Sequence, residues 1–334
     1  MLQFGRFVLT RAVMAAITLV IVSLVVFTLM ELVPGDCAER YLAFKNTQGS
    51  GISVEDIDVE RQRLGLDKPF LTRWGTWIVN AFQGDFGDSC ILRVNIAQLL
   101  GDKFWLSLGL CLASLALAYL IAIPVGIVAA ASKNAALNNV LRIVSYLGLA
   151  LPNFLLALMI MLFATVYFGD TLTGLFSNRF RDAPWNWAKF QDLLGHIWLP
   201  IFILGWSATA FALQTVRALM SDEIGKLYVT AAEARGIHGR KLLWRYPARH
   251  ALGPIVNSLG FDLNRIFNEL PIVALILTLT ETGALLIEAL ARSNDQQLAG
   301  AIIFLLTASI VTLNFLTDVM LAALDPRIRK SIIR

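Results

Sequence analysis

Apolar residues run in six long blocks, at about 9–31, 104–131, 139–168, 195–216, 253–280 and 297–321. Crossing ~30 Å of hydrocarbon takes about 20 residues at 1.5 Å each, and every block meets that length. A helix on a soluble core is shorter and apolar on one stripe only, so the pattern predicts an all-α membrane protein with six transmembrane helices. The first block resembles a signal peptide, but its apolar part is too long and no Ala-x-Ala site follows, so it is read as a span. Residues 32–103 form a long external segment with helical signals at 54–64 and 70–82 and turn chemistry at Gly84-Asp85-Phe86-Gly87. Residues 169–194 form a second external loop, whose Pro184, Trp185 and Trp187 suit a membrane–water interface. The chain thus divides into 1–31 (N-terminus and first span), 32–103 (external segment) and 104–334 (core domain with spans two to six).

Composition supports the pattern. Of 334 residues 57% are hydrophobic and 16% charged, against about 45–50% and about 25% in soluble domains. The net charge of +4 raises a nucleic-acid partner, but the basic residues sort by side of the membrane instead. Arg6, Arg11 and Lys133 fall on one side, with Arg217, Lys226, Arg235, Arg240, Lys241, Arg245 and Arg249, then Arg327, Arg329, Lys330 and Arg334. The positive-inside rule therefore puts both termini and the 217–252 loop in the cytoplasm, and the partner this charge faces is lipid, not nucleic acid. Segment 32–103 is long enough to cross regardless of charge, and has eight basic residues against ten acidic ones. Cys111 lies in the second span as a small hydrophobe. Cys37 and Cys90 are both external, where a bridge and two free thiols are both open.

No Cys/His cluster has metal-ligand spacing, and His196, His238 and His250 are isolated. The chain lacks the Gly-x4-Gly-Lys-Ser/Thr run of a phosphate-binding loop, so ATP has no site here. Asp85, Asp88 and Asp102 read as solvated carboxylates rather than an acid–base pair. No cofactor and no covalent chemistry are expected.

Two clusters stand out. In the 217–252 loop, Ser221-Asp222-Glu223-Ile224 has a capping residue followed by acids, which predicts a helix start. The run through Tyr228, Ala231, Ala232 and Arg235 continues it, and Gly236 suits its end. Arg240 to Trp244 predicts a second short helix, stopped near Pro247. The small residues Ala231, Ala232 and Ala234 would let another surface approach closely; the plainer alternative is a solvated basic loop. In the fifth span, Asp262, Arg265 and Glu269 sit at i, i+3 and i+7, on one helix face. A charge at mid-membrane costs roughly 2.5–3.5 kcal/mol, so such residues face a bundle interior or a watery path. Either an internal ion pair (Asp262–Arg265 or Arg265–Glu269) or a pore lining fits. Asn264 and Asn268 enrich the same segment, and Pro271 predicts a break beyond it. Pro124, Pro152 and Pro200 predict bends in other spans.

The stretch Tyr228-Val229-Thr230-Ala231-Ala232-Glu233-Ala234-Arg235-Gly236-Ile237 resembles the signature loop of ABC-importer permeases, specifically the first permease subunit of the dipeptide/oligopeptide/nickel family. The resemblance extends through Pro34-Gly35-Asp36, Arg63-Leu64-Gly65-Leu66-Asp67-Lys68-Pro69, Gly84-Asp85-Phe86-Gly87-Asp88-Ser89, Arg217, Met220, Arg249, Ala251, Pro254, Asp318 and Asp325-Pro326-Arg327. Cys37 stands where the family has proline, Thr230 where the motif often has Glu, and Tyr246-Pro247 where a His is common. Thr280-Glu281 replaces a usual Pro-Gly after the fifth span. The resemblance implies a non-catalytic, multi-pass subunit of a bacterial inner membrane, forming half of a translocation path. It further implies a second homologous permease, two ATP-hydrolysing subunits and an external solute-binding protein. Its coupling surface would comprise Tyr228, Ala231, Ala232, Glu233, Ala234, Arg235 and Gly236, with Ala231, Ala232 and Gly236 in close contact. Peptides or peptide-like solutes are the implied cargo, with nickel chelates, opines or sugars as alternatives. An ion-driven secondary transporter would instead favour inverted repeats, and the sequence offers no convincing one.

Overall fold

A computed structural model describes residues 2–47, 54–169, 172–177, 179–180, 183–279 and 281–324. These form α1 (Leu2–Leu32), α2 (Cys37–Thr47), α3 (Val54–Arg63), α4 (Phe70–Phe82), α5 (Ile96–Ala131), α6 (Ala135–Ala150) and α7 (Asn153–Phe168). There follow α8 (Trp187–Ile224), α9 (Leu227–Ala234), α10 (Gly239–Arg245), α11 (Pro247–Ile276) and α12 (Thr282–Ile287). A π-helical turn, Glu288–Arg292, and α13 (Gln296–Leu324) complete the series. Among the described residues the only β pairing is an isolated bridge between Asp88 and Asn95. The motif residues Asp325-Pro326-Arg327, the terminal basic residues from Arg327 to Arg334, and Thr280 lie outside the described residues.

Four helices are each long and apolar enough to cross a membrane: α1, α5, α8 and α13. The block at 139–168 divides at Pro152, where a bend was expected. It is α6 and α7, bent by 100°. Leu151 and Pro152 are both extended at the break (ψ 115° and 140°), as the missing proline N–H and the clash on its preceding residue require. α11 has the length, 30 residues, but Arg249, Asp262, Arg265 and Glu269, with Asn264 and Asn268, make it more polar than those four. It begins at Pro247, ahead of the expected 253. The break predicted at Pro271 does not occur, and α11 runs through Pro254 and Pro271. Pro271 forfeits only the bond its own N–H would have made, while Leu270, Val273 and Ala274 around it are fully buried and hold the helix.

The chain folds as two compact units. The larger comprises residues 1–9, 107–279 and 313–334. Within it α11 packs on α8 and α7, and α6 packs on α8. Small residues set the approach: a Cβ on Gly148 would lie 2.6 Å from the Ala210 Cβ, so α6 and α8 touch at backbone distance. Asn134 caps α6 by accepting from the Ala136 and Leu137 amides, and Asn186 caps α8 by accepting from Lys189.

The smaller unit comprises residues 10–106 and 280–312. Its helices α3 and α4 fall where 54–64 and 70–82 were expected. The turn at Gly84–Gly87 forms with φ of 84° and 80° at its two glycines. The two cysteines left open by the sequence are bonded: Cys37 and Cys90 form a disulfide, with Cα atoms 5.3 Å apart. Asp295, only 1% exposed, is a hub beside it. Its carboxylate accepts from the Ser89 hydroxyl, the Cys90 amide at 3.2 Å, the Ile91 amide at 3.4 Å and the Leu298 amide at 3.0 Å. Arg73 donates to both oxygens of Glu31 at 2.7 and 2.6 Å, the strong two-pronged form of the pair. A cleft of about 530 Å³ opens between Glu31, Lys68, Arg73, Asn80, Asp85 and Gln297.

Candidate functional site

The sequence-predicted site residues lie on two features of the larger unit, a pair of short helices and the polar length of α11. The second short helix falls where the sequence predicts, and the first ends as predicted but begins elsewhere. Residues 221–224 do not start a helix; they are the last turn of α8, which ends at Ile224 with Gly225 as its cap. Met220, wholly buried, anchors that turn and keeps α8 helical past Ser221. The acid placed there takes another role. The Glu223 carboxylate accepts from the Tyr228 hydroxyl and the Lys226 ammonium, fastening the start of α9 to the end of α8. These bonds, Lys226 first, hold Glu223 below its ordinary value of 4.5. Burial, and then the bond to Glu223, push the Tyr228 phenol up.

α9 stops at Ala234, and Gly236 follows at φ 83°, the left-handed cap expected of it. Val229, Ala232 and Leu242 form a small core between α9 and α10, covered by Tyr228, Ile237 and Tyr246. Ala232 is therefore 3% exposed and faces inward, which corrects its assignment to the contact surface. Ala231, Glu233, Ala234, Arg235 and Gly236 are exposed. So are two large apolar side chains that sequence reasoning passed over, Leu227 at 87% and Trp244 at 49%. Tyr228 also packs its ring, tilted by 57°, against His250 of α11, with ring centroids 4.9 Å apart. The pair of helices is thus tied to α8 through Glu223 and to α11 through His250.

On α11 the three charges part company. Asp262 is 2% exposed; it accepts from the Tyr119 hydroxyl at 2.5 Å and pairs with Arg265 at 3.4 Å. Tyr119 also meets the Ser258 hydroxyl at 2.8 Å. Arg265 donates to the Ser207 carbonyl at 3.2 Å and lies over the Phe211 ring, 5.0 Å from its centroid. Among the described residues its ion pair is with Asp262, not Glu269. Glu269 is half-buried, and one of its oxygens lacks a hydrogen-bond partner. Asn153 at the start of α7 donates to the Leu204 carbonyl at 3.2 Å and meets Ser207 at 3.3 Å. The sequence placed Asp262 and Arg265 together but gave no sign of Tyr119, Ser207 or Phe211, which come from distant helices.

An all-α, multi-pass membrane protein carrying a two-helix platform and a polar network in one bundle is the class these features define. Residues 122–330 match the family described as "Binding-protein-dependent transport system inner membrane component", and residues 2–101 match the description "Binding-prot-dependent transport system membrane comp, N-term". The chain belongs to this family and is a permease subunit of an ABC importer. It is 27% identical to a putative peptide permease protein of Brucella suis biovar 1 (strain 1330), over 97% of this chain and 99% of that one. It is likewise 27% identical to the glutathione transport system permease protein GsiC of Escherichia coli (strain K12), with the same coverage of 97% and 99%. A solved structure of the MetNI methionine ABC transporter, inward facing, shares the fold. Its TM-score is 0.55 at 17% identity, over 68% of this chain and 97% of that one. Membership implies ATP-binding subunits as partners.

Proposed function

We propose that this subunit forms half of the translocation path of a bacterial inner-membrane importer for peptides or peptide-like solutes. The second half is a homologous permease, two ATPases dock beneath the pair, one of them on the α9–α10 platform of this subunit, and an external binding protein delivers cargo. α11 is the remaining span, making six, with both termini and the 217–252 loop in the cytoplasm. The chain itself catalyses nothing and contributes surfaces and a path. The observation that carries this reading is the platform: exposed small residues Ala231, Ala234 and Gly236 beside exposed Leu227 and Trp244. The peptide cargo rests on full-length similarity to proteins named as peptide and glutathione permeases.

The platform suits force transmission. Its own core of Val229, Ala232 and Leu242 lets α9 and α10 move as one piece. The Glu223 and His250 contacts of Tyr228 pass that motion to α8 and α11, and α11 carries the polar length of the bundle. Asp262 and Arg265 hold α11 in register through their ion pair, which leaves half-buried Glu269 as the member of the trio that lines the path.

Gly236→Val tests the coupling. It adds bulk to an exposed surface and forces a side chain into left-handed φ, at roughly 1–2 kcal/mol. ATP hydrolysis should uncouple from uptake in proteoliposomes while the complex stays intact; normal uptake would overturn the docking. Co-purification from native membrane should recover two ATPases and a second permease. Reporter fusions at Arg240 and Asn186 should read cytoplasmic and external.

A further inference from the structure

Beside the buried ion pair, α11 presents a different face. Phe261 is 84% exposed, and Asn264 and Asn268 are exposed one and two turns on. Among the described residues none covers this strip, although the residues between, Leu263, Ile266 and Phe267, are buried against the bundle. Bare amides are costly against lipid, where no water satisfies them. The strip therefore meets either protein or a watery path.

Its hydrogen-bond chemistry selects the occupant. Asn268 Nδ2 donates to Asn264 Oδ1 at 3.3 Å. That bond fixes both side chains and leaves Asn264 Nδ2 free to donate and Asn268 Oδ1 free to accept. An extended peptide turns the N–H and C=O of one residue to the same side, the complement of this pair. Phe261 lies next to it as an apolar platform for a side chain.

We infer that Asn264 and Asn268 form a backbone-reading pair for the cargo: Asn268 Oδ1 accepts a peptide N–H and Asn264 Nδ2 donates to the carbonyl of the same residue. The inference rests on the peptide reading above and deepens it. It makes the pair a specificity device that is indifferent to side chains, suited to peptides of mixed sequence. Non-peptide solutes lack the paired donor and acceptor.

The test crosses a cargo change with a protein change in the intact complex. Uptake into proteoliposomes is measured at saturating loaded binding protein, for a short peptide and its backbone N-methylated form. Wild type should favour the parent by about tenfold, the worth of one hydrogen bond whose partner is left unsatisfied. Asn268→Leu should lower that ratio about tenfold relative to wild type, while Asn268→Gln retains most of it. Any preference of the binding protein is the same factor in all three and cancels. An unchanged ratio in Asn268→Leu overturns the inference. Loss of the second permease from the purified Leu variant also overturns it, by assigning the strip to the subunit interface. Absence of peptide uptake by wild type overturns the cargo reading and this inference with it.

Discussion

Replacing Arg265 by glutamine separates a packing role for the α11 charges from a lining role. In the structure Arg265 pairs with Asp262, which is 2% exposed and keeps a second bond from Tyr119. Breaking a buried pair from one side costs about 3–5 kcal/mol, because the other charge stays behind unpaired. Two features lower that figure here. Tyr119 still donates to Asp262, and the Arg265 side chain is 33% exposed, so solvent screens part of the interaction; about 2–3 kcal/mol is the discounted expectation. At about 1.4 kcal/mol per decade this raises the unfolded-to-folded ratio by roughly 30- to 150-fold, and a loss of about 1–2 kcal/mol already lowers cellular abundance several-fold. Quantitative blotting of membranes should therefore show a scarce subunit, and uptake should fall in proportion to abundance. The double variant Asp262→Leu/Arg265→Met should recover abundance, since removing both charges leaves neither stranded. An abundant Arg265→Gln subunit with impaired uptake would transfer Arg265 to the path, and an abundant, fully active one would refute both roles.

Two further outcomes follow from the structure. Cys37→Ser opens a bond that spans 53 residues; loop closure of that length is worth about 4 kcal/mol at 25 °C on the chain-entropy account. Limited proteolysis of intact cells should then cut 32–103 far faster than in wild type, and full resistance would show that the Asp295 hub suffices alone. The Glu223 anchor sets a pH window. Its folded value lies below 4.5, so it stabilises the α8–α9 junction above that pH and the gain is lost as pH falls through the folded value. Hydrogen exchange at Val229 and Thr230, normalised to the intrinsic exchange rate at each pH, should stay constant from about pH 5 upward and rise on acidification. Tyr228→Phe, which removes one of the two donors, should move the rise to higher pH; no movement would refute the anchor.

Much of the architecture was legible because span length and turn chemistry are local signals. The blocks at 9–31, 104–131, 195–216 and 297–321 sit inside α1, α5, α8 and α13. Gly236 marks the end of α9 because only its left-handed φ closes that helix without strain. Where tertiary contacts decide, the same letters give opposite results. Pro152 breaks its helix, and Asn153 then anchors the new one on α8 through Leu204 and Ser207. Pro271 breaks nothing, because the residues around it are locked in the core. Ser221 carries a good start signal that the burial of Met220 overrides.

The α11 charges carry the point further. A period of 3.6 places Asp262, Arg265 and Glu269 on one face, but it cannot say whether that face turns inward. Intramembrane charge points to function by default, yet the sequence leaves an internal ion pair and a lining role equally open. The structure turns Asp262 against Tyr119, and the residues left uncovered are neutral: Phe261, Asn264 and Asn268. A charge pair whose acid is buried is suited to holding a moving helix in register, because no cargo has to reach Asp262. A neutral amide strip is suited to touching cargo whose net charge varies from one peptide to the next. Reading the backbone with amides avoids strong attraction to any one charge, so the solute can be released as readily as it is admitted.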